Sequence, residues 1–188
     1  MSEDIEKLKE LLHPNAVVKK YKDGAACWMV ILGETKALES HICVGGIPNN
    51  TIVFNLDDSF NAPDRIFGGT KQECCRSDYV FVSDDTNGKY VICAEVKSGD
   101  DTVSHIKNQL RGSTAFVEYC KAILQQFWRY NFLLEQYEFH YVAFAHTTEK
   151  GTITIPTSAQ PPNTTVNAML KLSGQNKYQF NHLVQKRT

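Results

Sequence analysis

A turn signal between two apolar runs is the feature that most constrains how this chain can fold. Residues 78–97 read Asp-Tyr-Val-Phe-Val-Ser-Asp-Asp-Thr-Asn-Gly-Lys-Tyr-Val-Ile-Cys-Ala-Glu-Val-Lys. Asn-Gly is the strongest short-range signal for a β-hairpin, because both residues tolerate the positive φ of a type I′ turn. The pattern therefore predicts two antiparallel strands that are neighbours in a sheet and are joined near Asn87-Gly88.

The predicted hairpin brings three charged side chains to one end of the sheet. A loop of Asn87-Gly88 places Asp78 opposite Lys97, whereas a four-residue loop places Asp78 opposite Glu95. Side chains alternate along a strand, so in both registers the three charged residues point to the same face. Only an odd-length loop or a bulge would separate them.

Two adjacent carboxylates repel each other unless a positive charge lies between them. Mg²⁺ suits such a gap, because it binds one or two protein carboxylates and keeps waters and phosphate oxygens as its other ligands. Asp78 and Glu95 are therefore predicted to hold Mg²⁺ or Mn²⁺. Lys97 would stabilise charge on a phosphate or help to activate water, which fits phosphodiester hydrolysis. The competing interpretation is a structural ion pair between Lys97 and one carboxylate at the sheet rim.

Both faces of the predicted hairpin are apolar. One face carries Val80, Val82, Val91 and Cys93, and the other carries Tyr79, Phe81, Tyr90, Ile92 and Ala94. Strands with this composition lie in the middle of a sheet and are covered on both sides. A second acid-x-Lys tripeptide, at residues 34–36, follows Gly33 and opens a predicted short helix, whereas Glu95 closes an apolar strand.

The order of these residues resembles that of the PD-(D/E)XK nuclease superfamily. In that superfamily an acidic residue enters one strand, E-x-K closes the next strand, and a helix follows. Here these parts are Asp78, Glu95-Val96-Lys97 and a helix predicted to begin near Asp101, and the resemblance covers about residues 50–146.

Further residues bear on the resemblance. RecB-like members carry a glutamine on the helix, and Gln109 matches it, whereas Ser113 stands where those members have a tyrosine. Ser77 replaces the proline that precedes the first acid. Many members also have an acidic residue on an earlier helix, for which Glu10 and Glu39 are the candidates.

The resemblance implies a fold and an activity. The expected fold is a single α/β domain over residues 1–188, with a restriction endonuclease-like core at about 34–146 in which helices flank a central mixed β-sheet. The expected activity is metal-dependent nuclease action, on DNA more than on RNA, in restriction, repair or defence. The implied catalytic residues are Asp78, Glu95, Lys97 and Gln109, and a homodimer or a protein partner is expected. The alternative is a non-catalytic interaction or immunity protein that keeps the fold.

Charge and composition narrow the expected partners. The formal net charge is −1, so the chain lacks the strongly basic balance of many nucleic-acid binders, although a nuclease needs only a local positive groove. Basic residues cluster at 19–22, at 186–187 and on the predicted helix, where Lys107 and Arg111 are the candidate nucleic-acid contacts. Six cysteines without a C-x-x-C pair predict reduced thiols, and we expect a cytoplasmic protein without a signal peptide or a membrane span.

The remaining patterns give a coarse secondary structure. They predict helices at 3–12 and 34–42, a long amphipathic helix from about 101 to 127, and strands at 16–21, 26–32, 51–56 and 137–145. The aromatic segment 127–132 could stack on bases, but at helical spacing it is more typical of a core or an interface.

Overall fold

The computed structural model describes residues 2–23, 27–33, 41–56, 70–97, 102–145 and 162–185. These residues form an α/β fold with two mixed β-sheets and three α-helices. The helices are α1 (Glu3–Leu11), α2 (Val103–Phe127) and α3 (Phe180–Leu183). The strands are, in chain order, β1 (Tyr21–Asp23), β2 (Cys27–Gly33), β3 (His41–Ile47), β4 (Thr51–Asn55), β5 (Tyr79–Asp85), β6 (Gly88–Lys97), β7 (Glu138–Ala145), β8 (Leu170–Ser173) and β9 (Lys177–Gln179).

The central sheet contains five strands in the order β4-β5-β6-β7-β8. Strand β5 is antiparallel to both of its neighbours, β4 and β6. Strands β6, β7 and β8 run parallel to one another. Helix α2 connects the parallel strands β6 and β7. This is the central mixed sheet that the sequence predicts, with the hairpin β5-β6 in its middle.

Each face of the central sheet packs against a different layer. Helices α1 and α2 cover the face that carries Val80, Val82, Val91 and Cys93. The opposite face, with Phe81 and its neighbours, packs against the second sheet and α3. The division of the hairpin residues between two apolar faces is therefore confirmed.

The second sheet has the order β1-β2-β3-β9, and the sequence patterns do not predict it as a layer. Residues 41 and 42, predicted as the end of a helix, begin β3 instead, while residues 34–40 lie outside the described ranges. The strand predicted at 16–21 is also wrong. A 3₁₀ turn at Pro14–Ala16 is followed by a single bridge from Val17 to Phe54, and β1 begins only at Tyr21.

Helix α2 has the amphipathic pattern that its sequence predicts. The side chain of Thr102 caps its first turn by accepting a hydrogen bond from the backbone N–H of His105 at 3.3 Å. Its buried residues are Ile106, Leu110, Ser113, Val117, Cys120 and Leu124. Phe127, the last residue of the predicted amphipathic helix, is 79% exposed. None of the helices in the described ranges is long and apolar enough to cross a membrane.

Candidate functional site

The hairpin register places Asp78 and Glu95 at the ends of neighbouring strands. Tyr79 pairs with Ala94, and the same register carried one residue further sets Asp78 opposite Glu95. The turn consists of Thr86 and Asn87, one residue earlier than predicted. The register with Lys97 opposite Asp78 is therefore wrong. Asp78 pairs with Glu95 as in the alternative, but through a two-residue turn and not the four-residue loop of that alternative.

The observed turn lies one residue earlier than the predicted turn, because Gly88 is the first residue of β6 and not part of the loop. Asp85 pairs with Gly88, which alone in this turn has a positive φ, of 141°. Moving a two-residue loop by one position shifts the pairing by two residues. A shift of two preserves the face of every side chain, so Asp78, Glu95 and Lys97 remain on the α2 side with Val80 and Cys93.

Each of the two carboxylates accepts a hydrogen bond from the backbone of the other strand. Glu95 Oε2 accepts a hydrogen bond from the Asp78 N–H at 3.1 Å, and Asp78 Oδ2 accepts one from the Val96 N–H at 2.7 Å. Each side chain thus crosses from its own strand to the next. The reciprocal bonds fix both carboxylates at the same rim of the sheet.

Glu95 is the electrostatically strained member of the pair. Its side chain is fully buried, at 0% exposure. Burial, and after it the negative charge of Asp78, raise the pKa of the Glu95 carboxyl from 4.5 to about 8, against the opposing effect of Lys97. Lys97 alone therefore does not offset the cost of two carboxylates in this place.

Lys97 lies within reach of Glu95 but does not saturate it. Its Nζ is 2.7 Å from Glu95 Oε1, and the side chain of Lys97 is 18% exposed. Glu95 Oε2 accepts the Asp78 N–H, so each oxygen of Glu95 has one close partner. Because a carboxylate oxygen has two lone pairs, each of these oxygens keeps one that a cation could use.

These features fit a hard divalent cation. Two neighbouring carboxylates, one of them buried with its ionised form disfavoured, offer the ligands that Mg²⁺ or Mn²⁺ prefers. Asp78 and Glu95 would hold the ion. Within the described ranges, no group of three or more His, Cys, Asp or Glu side chains is placed to hold a metal ion.

Gly112 and Ser113 of α2, together called the seat, hold the segment that leads into Asp78. Ser113 Oγ accepts a hydrogen bond from the Ser77 N–H at 2.7 Å, and the two serine hydroxyls are 2.7 Å apart. Both serines are fully buried. At the preceding residue, Gly112, a Cβ atom would overlap the carbonyl oxygen of Cys75. The Gly112-Ser113 pair therefore allows the chain before Asp78 to lie directly against the helix.

Gln109 lies one helical turn before this seat, so it occupies the same end of α2. Its Oε1 is buried and has no hydrogen-bond partner among the described residues. An unsatisfied buried amide oxygen is uncommon and calls for a donor such as a bound water. The structure thus leaves Gln109 available for the accessory role that the resemblance implies.

The two predicted nucleic-acid contacts lie on the same helix as Gln109. Lys107 is half-buried, and Arg111 is exposed and donates to the Asn108 side chain at 2.9 Å. They are four residues apart and so share one side of α2.

The candidate acids of the earlier helix have different outcomes. Glu10 is exposed on α1 and pairs with Lys7 at 2.9 Å, whereas Glu39 lies outside the described residues. The buried acid of α1 is Asp4, which the sequence analysis missed. It lies near the turn of the hairpin and contacts Lys89, Tyr130 and Tyr137. A buried acid in the first turn of an amphipathic helix gives little signal, because acidic residues are common there for reasons of helix capping.

Comparison of the chain with protein-family models, with curated proteins and with solved structures gave no match.

Proposed function

We propose that this protein is a metal-dependent nuclease that hydrolyses phosphodiester bonds, with DNA as the preferred substrate. The observation that carries the proposal is the meeting of Asp78 and Glu95 on adjacent strand ends, with Lys97 2.7 Å from Glu95. The order of acid, E-x-K and helix matches what the resemblance to PD-(D/E)XK nucleases implies. The parallel strand after the helix joins the same sheet, next to the strand that carries Glu95 and Lys97.

Each residue has a role in hydrolysis. Asp78 and Glu95 would hold the divalent cation, which when bound supplies positive charge to the phosphate oxygens and lowers the pKa of a coordinated water. Lys97 points its ammonium at the same place and stabilises negative charge that develops on the phosphoryl oxygens. The oxygen of water forms the new bond to phosphorus, the bond to the leaving oxygen breaks, and that oxygen takes up a proton. Gln109 orients water from α2.

The raised pKa of Glu95 supports a functional role over a structural one. Here burial and Asp78 together oppose ionisation of Glu95 in spite of Lys97. Strong perturbation of a carboxyl by burial and a like charge is typical of active sites.

The test is cleavage of labelled single- and double-stranded DNA and RNA with Mg²⁺, with Mn²⁺ and with EDTA. We expect metal-dependent cleavage by the wild type and its loss in Asp78→Asn and Lys97→Ala. Asp85→Asn, at the turn of the same hairpin, and Lys121→Gln, at a lysine paired with Glu135, are the matched controls and should cleave normally. A folded wild type that neither cleaves nor binds Mn²⁺ would refute the proposal.

The alternative is a non-catalytic interaction or immunity protein with the same fold. The observation in its favour is the exposure of three aromatic residues at the C-terminal half of α2 and just beyond it, namely Tyr119 at 58%, Phe127 at 79% and Trp128 at 41%. Exposed aromatic residues are typical of protein interfaces. This alternative predicts that Asp78→Asn leaves function intact.

A further inference from the structure

Two lysines contact Trp28 on the second sheet, away from the carboxylate pair. Lys22 lies directly opposite Trp28 in the β1-β2 ladder, and its Nζ is 5.7 Å from the centre of the indole ring. Lys20 Nζ is 5.5 Å from the same ring and donates to the Asn49 carbonyl at 2.9 Å. The Trp28 N–H donates to the Asn49 side chain. We call these residues, Lys20, Lys22, Trp28 and Asn49, the lysine-tryptophan patch.

The described part of the chain places no acid in an ion pair with the patch, whether with Lys20 or with Lys22. Burial lowers the pKa of Lys20, and the positive charge of Lys9 lowers it further. The chain as a whole has a net charge of −1, so this concentration of positive charge is local. Cation-π contacts and a backbone carbonyl hold the ammonium groups in place without neutralising them.

The position of the patch relates it to the carboxylate pair. The loop with Asn49 lies at the turn end of the hairpin, because the Asp84 N–H donates to the Asn50 carbonyl at 2.8 Å. At the other end of β4, the Leu56 N–H donates to the Asp78 carbonyl at 2.8 Å. The five residues of β4 between these points span about 17 Å at about 3.3 Å per residue. The pair lies on the α2 face of the central sheet and the patch on the second sheet, so the path between them is longer than this strand.

We infer that the lysine-tryptophan patch binds the phosphodiester backbone of nucleic acid at a place several nucleotides away from the bond that the Asp78–Glu95 pair cleaves. The inference rests on the proposed function for its substrate. Lysines held by an aromatic ring offer charge without base-specific geometry, so the contact is independent of sequence. It is a positioning surface and takes no part in the chemistry.

The test measures binding without cleavage. Labelled strands and duplexes of about 20 nucleotides, long enough to span the distance from the pair to the patch, are titrated in EDTA at several salt concentrations. The wild type is compared with the double variant Lys20→Gln/Lys22→Gln, in which the glutamine at position 20 can still donate to Asn49. The double variant Lys121→Gln/Lys177→Gln removes the same charge from positions elsewhere on the chain and serves as the control.

We expect the patch variant to bind about tenfold more weakly at low salt. Its salt dependence should fall by about 1.4 to 1.8 in slope, the contribution of two phosphate contacts. The control should keep the affinity and the slope of the wild type. In a Trp128→Phe background, where Trp28 is the remaining tryptophan, its fluorescence should change on binding. An unchanged slope in the patch variant would overturn the inference.

Two further arms separate this inference from the nuclease proposal. With Mg²⁺, the patch variant should cleave the long substrates less efficiently but tetranucleotides as well as the wild type, because the short substrate does not reach the patch. Loss of binding to vesicles with anionic lipids, without loss of binding to nucleic acid, would overturn the inference in favour of a membrane surface. Patch-dependent binding by a wild type that never cleaves would support the patch and refute the proposed nuclease.

Discussion

Replacing Glu95 by glutamine should remove a pH-dependent loss of stability. In the folded protein the pKa of Glu95 is raised from 4.5 to about 8 by burial and by Asp78. Between these two values the folded state holds a proton that the unfolded state has released. The free energy of unfolding of the wild type therefore falls as the pH rises through this window.

The size of the effect follows from proton linkage. One proton corresponds to at most about 1.4 kcal/mol per pH unit, so the wild type should lose up to about 4 kcal/mol between about pH 5 and about pH 8 from this group. The glutamine introduced by Glu95→Gln does not titrate, and it can still accept the hydrogen bond from the Asp78 N–H. The variant should therefore gain stability relative to the wild type as the pH rises, with the largest difference near the upper end of this window.

Urea unfolding across the same pH window in EDTA measures this difference. Glu118→Gln, on an exposed residue of α2, is the control, and its stability should run parallel to that of the wild type. Parallel curves for Glu95→Gln and wild type would refute the claim that the folded site opposes ionisation of Glu95.

A divalent cation should reverse the behaviour of the wild type. The ion binds the ionised carboxylate, so binding below the raised pKa of about 8 expels the proton from Glu95. The affinity for Mn²⁺ should then rise by about tenfold per pH unit up to that pKa. Calorimetry in two buffers of different ionisation enthalpy measures the released proton. Binding without pH dependence, or equal binding by Glu95→Gln, would contradict the proposed ligand set.

Three further substitutions test the parts around the pair. Ser113→Ala removes the acceptor for the Ser77 N–H, so the free energy of unfolding should fall by about 1–3 kcal/mol and the affinity for Mn²⁺ should fall as well. An unchanged affinity in calorimetry would show that the seat does not position Asp78. Gly112→Ala should cost about 1–3 kcal/mol in urea unfolding, because the new methyl group overlaps the carbonyl oxygen of Cys75, and a stability equal to wild type would be inconsistent with that contact. Asp4→Asn should lower stability by about 1–3 kcal/mol through its tyrosine contacts while cleavage per folded molecule stays normal, and loss of cleavage in the folded variant would assign Asp4 to the active site.

The sequence is sufficient to predict the central sheet because its signals are local. Alternation along 79–94 defines two apolar faces, and both are observed. The register is predicted only as two alternatives, because Asn-Gly marks a turn without deciding whether the loop has two residues or four. A shift of two residues keeps the same faces, so the meeting of Asp78, Glu95 and Lys97 does not depend on this choice.

The second sheet and the seat on α2 could not be predicted from local sequence patterns, because both depend on contacts between residues far apart in the chain. The parallel pairing of β3 with β9 joins Cys43 to Lys177, far apart in the chain, and no periodicity in either segment specifies its partner. In the sequence, Ser77 and Ser113 stand out only as departures from a family pattern. Their contact depends on the close approach that Gly112 permits, which is visible only once the helix lies against the chain.

The two ends of the hairpin have buried acids in different surroundings, Asp4 at the turn and Glu95 at the rim. At the turn end, Asp4 accepts hydrogen bonds from Tyr130 at 2.6 Å and from Tyr137 at 2.7 Å, and Lys89 lies 3.4 Å away. Both of its oxygens are used, and the tyrosines connect α1 to the chain after α2.

At the rim, Glu95 has one oxygen bonded to the Asp78 N–H and the other 2.7 Å from Lys97 Nζ, and its carboxyl lies beside a second carboxylate. Burial and the charge of Asp78 oppose ionisation of Glu95 in spite of Lys97, so a further cation would stabilise the ionised form. This contrast between Asp4 on α1 and Glu95 on the hairpin favours Asp78 and Glu95, and not Asp4, as the metal ligands of the proposed nuclease.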